Sequence, residues 1–127
     1  MTTRLLIIDD DRSVLELASR LLADQPYQMI QAETGDAGLM LAFRERPDFV
    51  LCDIQMPGMD GFEVVRRMKD EPATREIPVF ALTSFAFGSM RERALAAGFD
   101  GYLPKPISSE VFAAQVEQLI QERPCAT

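Results

Sequence analysis

Short apolar runs alternate with longer amphipathic segments along the whole chain, and this alternation restricts the possible folds more than any other feature. Residues 5–8 and 49–52 are continuous apolar runs of strand length, as expected for strands that are covered on both faces. Three further strands are predicted at residues 27–32, 79–82 and 101–103. The spacing of apolar residues predicts helices at residues 14–22, 34–46, 62–68, 90–97 and 108–120.

Five strands that alternate with five helices are typical of an α/β protein with a parallel sheet. Because crossover connections are right-handed, we expect a doubly wound arrangement with helices on both faces of the sheet. The flavodoxin-like strand order 2-1-3-4-5 is the predicted order. The pattern occupies residues 1–122, which we interpret as one domain, and leaves residues 123–127 as a tail or linker stub.

Composition excludes several classes of function. Thirteen basic and twenty acidic residues give a net charge of −7, which argues against a nucleic-acid surface because duplex binding needs a basic face. No apolar run approaches the roughly 20 residues of a membrane span. Histidine is absent, so histidine metal sites and serine–histidine or cysteine–histidine catalysis are excluded. Cys52 and Cys125 make no disulfide framework, and we expect a reducing, cytoplasmic location.

Polar side chains follow the predicted strands at the point where each strand ends. Strand 1 is followed by residues 9–11, which are all aspartate, and strand 3 by Asp53. Strand 4 leads into Thr83 and strand 5 into Lys105. The carboxyl ends of parallel strands share one edge of the sheet, and ligands of doubly wound folds bind there. We therefore expect carboxylates, a hydroxyl and an ammonium group to converge on one small area.

This set of side chains favours phosphoryl chemistry that depends on a metal ion. Clustered carboxylates raise one another's pKa unless a cation lies among them. A site with few oxygen ligands suits Mg²⁺, which retains several waters and completes its shell with phosphate oxygens. Phosphoryl transfer then needs an in-line nucleophile and fixed positive charge, and a carboxylate can be that nucleophile. Asp11 has the simpler interpretation of a cap for the first helix.

Four segments at these strand ends resemble the response-regulator receiver domain in order and spacing. They are Asp9-Asp10, Asp53-x-x-Met56-Pro57-x-Met59-Asp60-Gly61, Ala81-Leu82-Thr83 and Tyr102-x-x-Lys105-Pro106. Each segment alone is a weak signal, whereas all four on successive strands are highly specific. The resemblance covers about residues 4–121, and in detail it is closest to stand-alone regulators and to the receivers of hybrid kinases.

The resemblance implies a role for each matching residue. Asp53 corresponds to the phosphoacceptor. Asp10, Asp53 and the backbone carbonyl of Gln55 would hold Mg²⁺ or Mn²⁺, and Asp9 would support the ion through a water molecule. Thr83 would donate a hydrogen bond to the phosphoryl group.

The resemblance also assigns residues near the ends of strands 4 and 5. Lys105 would pair first with the phosphoacceptor carboxylate and then with the phosphoryl group, and its bond to Pro106 resembles the cis peptide of the family. Tyr102 resembles the aromatic switch residue that turns inward when Thr83 moves, while half-buried packing is the simpler alternative. Phe85, two residues after Thr83, occupies a position that the resemblance links to dephosphorylation, and we expect its bulk to shield the phosphorylated site from water.

The function implied by the resemblance is a phosphorylation-dependent signalling switch and not an enzyme with a separate substrate. A sensor histidine kinase or a histidine phosphotransfer protein would supply the phosphoryl group, and an unidentified output protein or domain would bind the changed surface. Two alternatives stay open. A degenerate receiver could serve as a docking module. An aspartyl-phosphate phosphatase is less favoured, because Gln55 occupies the position of its second aspartate.

Overall fold

The computed structural model describes residues 3–84 and 89–122 of the chain. Its elements, in chain order, are β1 (Thr3–Ile8), α1 (Arg12–Leu21), β2 (Tyr27–Ala32), α2 (Gly35–Glu45), β3 (Phe49–Asp53), α3 (Gly61–Asp70), β4 (Val79–Thr83), α4 (Ser89–Ala97), β5 (Gly101–Pro104) and α5 (Phe112–Glu122). Every predicted strand and helix is present. The predictions for Phe85 and for the tail at residues 123–127 fall outside the described residues.

The five strands form one parallel sheet in the order β2-β1-β3-β4-β5. Leu6 lies opposite Ile30 on one side and Val50 on the other, which places β1 in the interior of the sheet. The predicted α/β class and the flavodoxin-like order 2-1-3-4-5 are confirmed. Because the chain changes direction across the sheet between β1 and β3, a crevice is expected beyond the carboxyl ends of these two strands.

Each face of the sheet is covered by its own helices. Alternate residues of a strand point to opposite faces, so Leu5 and Leu6 belong to different core clusters. On one face the strands pack against α2, α3 and α4, as at the buried Val64. On the other face they pack against α1 and α5, as at Leu15 and Phe112. The doubly wound arrangement is confirmed, and no helix in the described ranges is long and apolar enough to cross a membrane.

Side-chain caps fix the starts of the helices that follow the carboxyl ends of the strands. Asp11 accepts a hydrogen bond from the first turn of α1, as predicted, and Thr34 and Asp60 cap α2 and α3 in the same way. The hydroxyl of Ser108 accepts a backbone N–H at 3.3 Å, and its carbonyl accepts the N–H of Phe112 at 2.9 Å. Ser108 therefore caps a turn that leads into α5, and the regular helix begins later than the sequence pattern indicated.

We expect Leu6→Ala to lower the free energy of unfolding by about 2–5 kcal/mol, because the change leaves a cavity in a packed core. Leu6 is fully buried in the sheet, and urea denaturation measures the loss. The matched control is Leu95→Ala, the same change at a side chain that is 46% exposed, where we expect a loss below about 1 kcal/mol. Equal losses in the two variants would contradict the central position of Leu6.

Candidate functional site

Three aspartates meet at the crevice beyond β1 and β3. Asp9 follows β1, is completely buried, and donates its backbone N–H to the carbonyl of Ala32 at 3.0 Å. Asp53 is the last residue of β3 and is also buried, whereas Asp10 is exposed. One carboxylate oxygen of each aspartate lies within 4.8 Å of the others. The structure thus brings together the three aspartates that the sequence placed at one edge of the sheet.

Lys105 brings a positive charge into this cluster. Its Nζ lies 2.7 Å from Asp9 Oδ2 and 3.4 Å from Asp53 Oδ2, so the shorter ion pair is with Asp9 and not with the residue that the resemblance implied. Its backbone N–H donates to the carbonyl of Thr83 at 2.9 Å. Thr83 is buried at the end of β4, and the Lys105–Pro106 peptide is cis. The ends of β4 and β5 are therefore linked next to the carboxylates.

The carboxyl group of Asp53 lies in an unfavourable environment for its negative charge. Burial raises the pKa of Asp53 from an ordinary 3.8 to about 6, and the charge of Asp9 and the contact with Asp10 act in the same direction. Lys105 opposes this shift, as does the backbone N–H of Gln55, which donates to Asp53 Oδ1 at 3.3 Å. A positively charged ligand that stabilised the ionised carboxylate of Asp53 would therefore also stabilise the folded protein against unfolding.

The ammonium group of Lys105 does not neutralise the cluster. Burial alone would lower the pKa of Lys105, but the ion pairs with Asp9 and Asp53 raise it above its usual value, so the side chain stays charged. Three carboxylates and one ammonium leave two negative charges uncompensated within this set. Asp9 Oδ2 is buried and forms an ion pair with Lys105. A divalent cation that prefers oxygen ligands fits this charge and these donors.

Gln55 and Tyr102 are the remaining residues that the sequence assigned to the site. Gln55 follows the strand end and has an exposed side chain, and the role of its carbonyl toward a metal ion stays a prediction. Tyr102 is half-buried on β5 and packs against the apolar core on the face of the sheet that is covered by α2, α3 and α4. It lies opposite Ala81, which is two positions before Thr83. Both the switch role and the packing role of Tyr102 are compatible with this position.

A cleft beside Lys105 separates α1 from the segment that follows β5. Its lining includes the half-buried apolar side chains of Val14, Leu17 and Ile107. Because Lys105 itself lines the cleft, a protein bound there would lie next to the carboxylate cluster.

Two contacts made by the loop between β3 and α3 and by the first turn of α3 were not predicted from the sequence. The guanidinium of Arg93 lies 5.0 Å from the centre of the Phe62 ring, so α4 meets the first turn of α3 through a cation–π contact. Gly35, the first residue of α2, approaches so closely that a Cβ there would lie 2.5 Å from the carbonyl oxygen of Met59. The available signal was the glycine itself, because glycine suits positions where another backbone approaches closely.

Comparison with known proteins identifies the family of the chain. The family model of the response regulator receiver domain matches residues 5–117. The chain belongs to this family.

Curated relatives of this receiver domain are response regulators. PleD of Caulobacter vibrioides is 38% identical over 119 residues, which make up 94% of this chain and 26% of PleD. The polar-differentiation regulator DivK of Brucella ovis is 34% identical over 120 residues, which make up 94% of this chain and 98% of DivK. The receiver domain therefore spans about a quarter of the length of PleD and nearly the whole length of DivK.

Solved structures with the same architecture include CheY-like proteins. The chemotaxis response regulator CheY4 of Vibrio cholerae is 27% identical, with a TM-score of 0.88 and coverage of 94% of this chain and 99% of CheY4. The receiver domain of a sensor histidine kinase from Pseudomonas aeruginosa is 26% identical, with a TM-score of 0.84 and coverage of 97% and 98%. That protein has a magnesium ion coordinated in its active-site cleft.

In a buffer without metal ions, we expect Asp53→Asn to raise the free energy of unfolding by about 1–3 kcal/mol near neutral pH, because asparagine removes a buried charge. The pKa of Asp53 is about 6 in the folded state against 3.8 ordinarily, so the unfolded chain releases its proton first as the pH rises. The wild-type protein therefore loses stability between these two values, and the advantage of the variant disappears at lower pH.

Urea denaturation in EDTA across this pH window measures the difference between the wild-type protein and Asp53→Asn. The control is Asp24→Asn, the same change at an exposed aspartate away from the site, for which we expect no such dependence. Equal stability of the wild-type protein and Asp53→Asn at neutral pH would show that the carboxyl group is not destabilised by its surroundings.

Proposed function

We propose that this receiver domain is a phosphorylation-dependent signalling switch in which Asp53 accepts a phosphoryl group in the presence of Mg²⁺ or Mn²⁺. The observation that carries the proposal is the cluster of three carboxylates at the ends of β1 and β3, two of which form ion pairs with Lys105. The curated relatives PleD and DivK are response regulators, and a solved receiver domain of the same fold holds magnesium in its cleft.

The cation would be held by Asp10, Asp53 and the backbone carbonyl of Gln55, with Asp9 acting through a water molecule. The two uncompensated negative charges of the set support this assignment. Asp9 Oδ1 accepts a hydrogen bond from Asp11 N at 2.9 Å, which fixes the orientation of the buried carboxylate. A bound divalent cation would supply positive charge beside the phosphoryl oxygens.

In the transfer step, a carboxylate oxygen of Asp53 attacks the phosphorus atom of a phosphohistidine in line with the bond that breaks. The phosphorus–nitrogen bond is cleaved, its electron pair stays on the histidine nitrogen, and that nitrogen takes up a proton from solvent. With a pKa of about 6, Asp53 is mostly ionised at neutral pH and is available as the nucleophile. Lys105 would then pair with the new oxygens, and the hydroxyl of Thr83 would donate to them.

The output of the switch would be a repacking of the region from β4 to α5. Phosphorylation adds about −1.5 to −2 charges, which would draw Lys105 away from Asp9 and toward the phosphoryl group. Because Lys105 N donates to the carbonyl of Thr83, the ends of β4 and β5 would move together, and Tyr102 on β5 would change its packing. A partner that binds one of the two states more tightly then responds to phosphorylation.

The proposed phosphodonor is a sensor histidine kinase or a histidine phosphotransfer protein that docks on the cleft beside Lys105. The apolar side chains of Val14, Leu17 and Ile107 offer it a hydrophobic contact next to the site. The output partner is an unidentified protein or domain. The chain matches 26% of the length of PleD and 98% of the length of DivK. A linked output domain and a separate output protein are therefore both compatible with the sequence.

We further propose that the protein turns over only its own phosphoryl group and is not an enzyme with a separate substrate. Gln55 supports this proposal, because an amide cannot replace the second aspartate of an aspartyl-phosphate phosphatase as acid and base. A cytoplasmic location is proposed on the free thiol of Cys52, which is buried and suits a reducing compartment.

Incubation with acetyl phosphate and Mg²⁺ tests the proposed function, since it needs no partner protein. We expect intact-mass measurement to show the addition of one phosphoryl group, because Asp53 is the nucleophile and the cation offsets the charge of the cluster. EDTA and Asp53→Asn should each abolish the addition. A chain that binds Mg²⁺ but takes no phosphoryl group from any donor would be a docking module instead.

We expect Lys105→Met to bind Mg²⁺ about three- to tenfold more tightly than the wild-type protein, because the carboxylates lose a competing positive charge. Calorimetric titration in mildly alkaline buffer, where Asp53 is ionised in both proteins, measures the affinity. The control is Lys69→Met, which also removes a lysine from an ion pair. Lys69 Nζ lies 3.2 Å from Asp100 Oδ2, and this ion pair includes none of the three aspartates of the cluster. Weaker or unchanged binding by Lys105→Met would contradict the competition between lysine and cation.

A further inference from the structure

The segment at residues 54–60 connects the phosphoacceptor strand to α3 and folds back tightly. Gly61 N donates to the carbonyl of Ile54 at 2.9 Å, so the two ends of the segment are joined by a backbone hydrogen bond. The segment contains Gln55, whose N–H also donates to Asp53 Oδ1. Its backbone is therefore tied directly to the residue that accepts the phosphoryl group.

Gly61 contacts the phosphoacceptor strand through backbone atoms alone. A Cβ at Gly61 would lie 2.4 Å from the carbonyl oxygen of Asp53 and 2.8 Å from the Cα of Ile54. These atoms belong to the backbone and cannot rotate away as a side chain can. Gly61 is not in the left-handed region, so space and not conformation demands glycine here.

Gly35 contacts the same segment from the opposite side. A Cβ at Gly35 would lie 2.5 Å from the carbonyl oxygen of Met59 and 3.0 Å from its Cβ. Gly35 is not in the left-handed region either, so space and not conformation demands glycine here as well. The close approach of α2 to the segment therefore depends on the absence of a side chain at Gly35.

We propose that Gly35 and Gly61 are positioning residues that hold residues 54–60 from both sides and so fix the backbone of Gln55 next to Asp53. A segment fixed in advance needs little reorganisation when its carbonyl becomes a ligand, and this raises the affinity for the cation. Neither glycine touches the cation or the phosphoryl group. The inference rests on the proposed function, because it assigns these glycines to the cation site described above.

The variant Gly35→Ala tests the inference, because Gly35 contacts Met59 of the segment, whereas Gly61 contacts Asp53 itself. We expect it to weaken Mg²⁺ binding about tenfold, as changes behind a metal ligand commonly do. In phosphorylation by acetyl phosphate, the Mg²⁺ concentration for half-maximal rate should rise, while the rate at saturating Mg²⁺ should change less than about twofold. Calorimetric titration of the unphosphorylated protein supplies the affinity without reference to activity.

The matched control is Gly101→Ala, at the start of β5 and away from the carboxyl ends of the strands. A Cβ there would meet side-chain atoms of Phe80 at 3.2 Å and of Leu119 at 3.4 Å. We expect this variant to lose thermal stability and to keep the wild-type affinity for Mg²⁺. Equal loss of affinity in Gly35→Ala and Gly101→Ala would overturn the inference, because general destabilisation would then explain both.

Hydrogen exchange of the wild-type protein without metal ions tests the inference even if Gly35→Ala does not fold. We expect the amide of Gly61 to be protected already, because the segment is fixed before the cation binds. Exchange at the rate of an open loop would overturn the inference. A wild-type protein that binds no Mg²⁺ would instead overturn the proposed function, whereas wild-type affinity in Gly35→Ala would overturn the inference alone.

Discussion

The repulsion between the buried carboxylates of Asp9 and Asp53 is the interaction on which the rest of this structure depends. Asp9 follows β1 and Asp53 is the last residue of β3, and both strands lie in the interior of the sheet, so neither residue can leave the crevice without disrupting the sheet. Lys105 offsets part of the repulsion through contacts of 2.7 Å and 3.4 Å, and these contacts raise its pKa above the usual value. The remaining negative charge of the cluster is what the proposed divalent cation would offset.

The surrounding backbone holds this charged cluster in place. Thr83 and Lys105 share a backbone hydrogen bond across β4 and the end of β5, so a change at one strand end reaches the other. On the opposite side, α2 and the end of β3 enclose the segment that contains Gln55, with glycine at both contacts. Gly35 has no side chain and therefore allows this close approach of α2 to the segment.

The strand ends were predictable because two simple rules meet there. An apolar run of strand length ends where polar residues begin, and parallel strands place their carboxyl ends on one edge, so Asp53 and Thr83 could be located without coordinates. Contacts between distant parts of the chain could not be found in this way. Arg93 and Phe62 belong to different helices, and no periodicity within either helix reports their stacking. The start of α5 was also imprecise, because Ser108 caps a turn and not the regular helix.

By itself, the sequence determined the α/β class from periodicity, and it determined the side chains that share the crevice because parallel strands place their carboxyl ends on one edge. The flavodoxin-like order was the preferred choice among doubly wound orders, and the structure confirms it. Only the tertiary structure decided how those side chains interact. It buried Asp9 and left Asp10 exposed, it brought Lys105 closer to Asp9 than to Asp53, and it raised the pKa of Asp53 to about 6. The reason is physical: burial and charge–charge distance depend on packing between strands, and a one-dimensional pattern does not contain them.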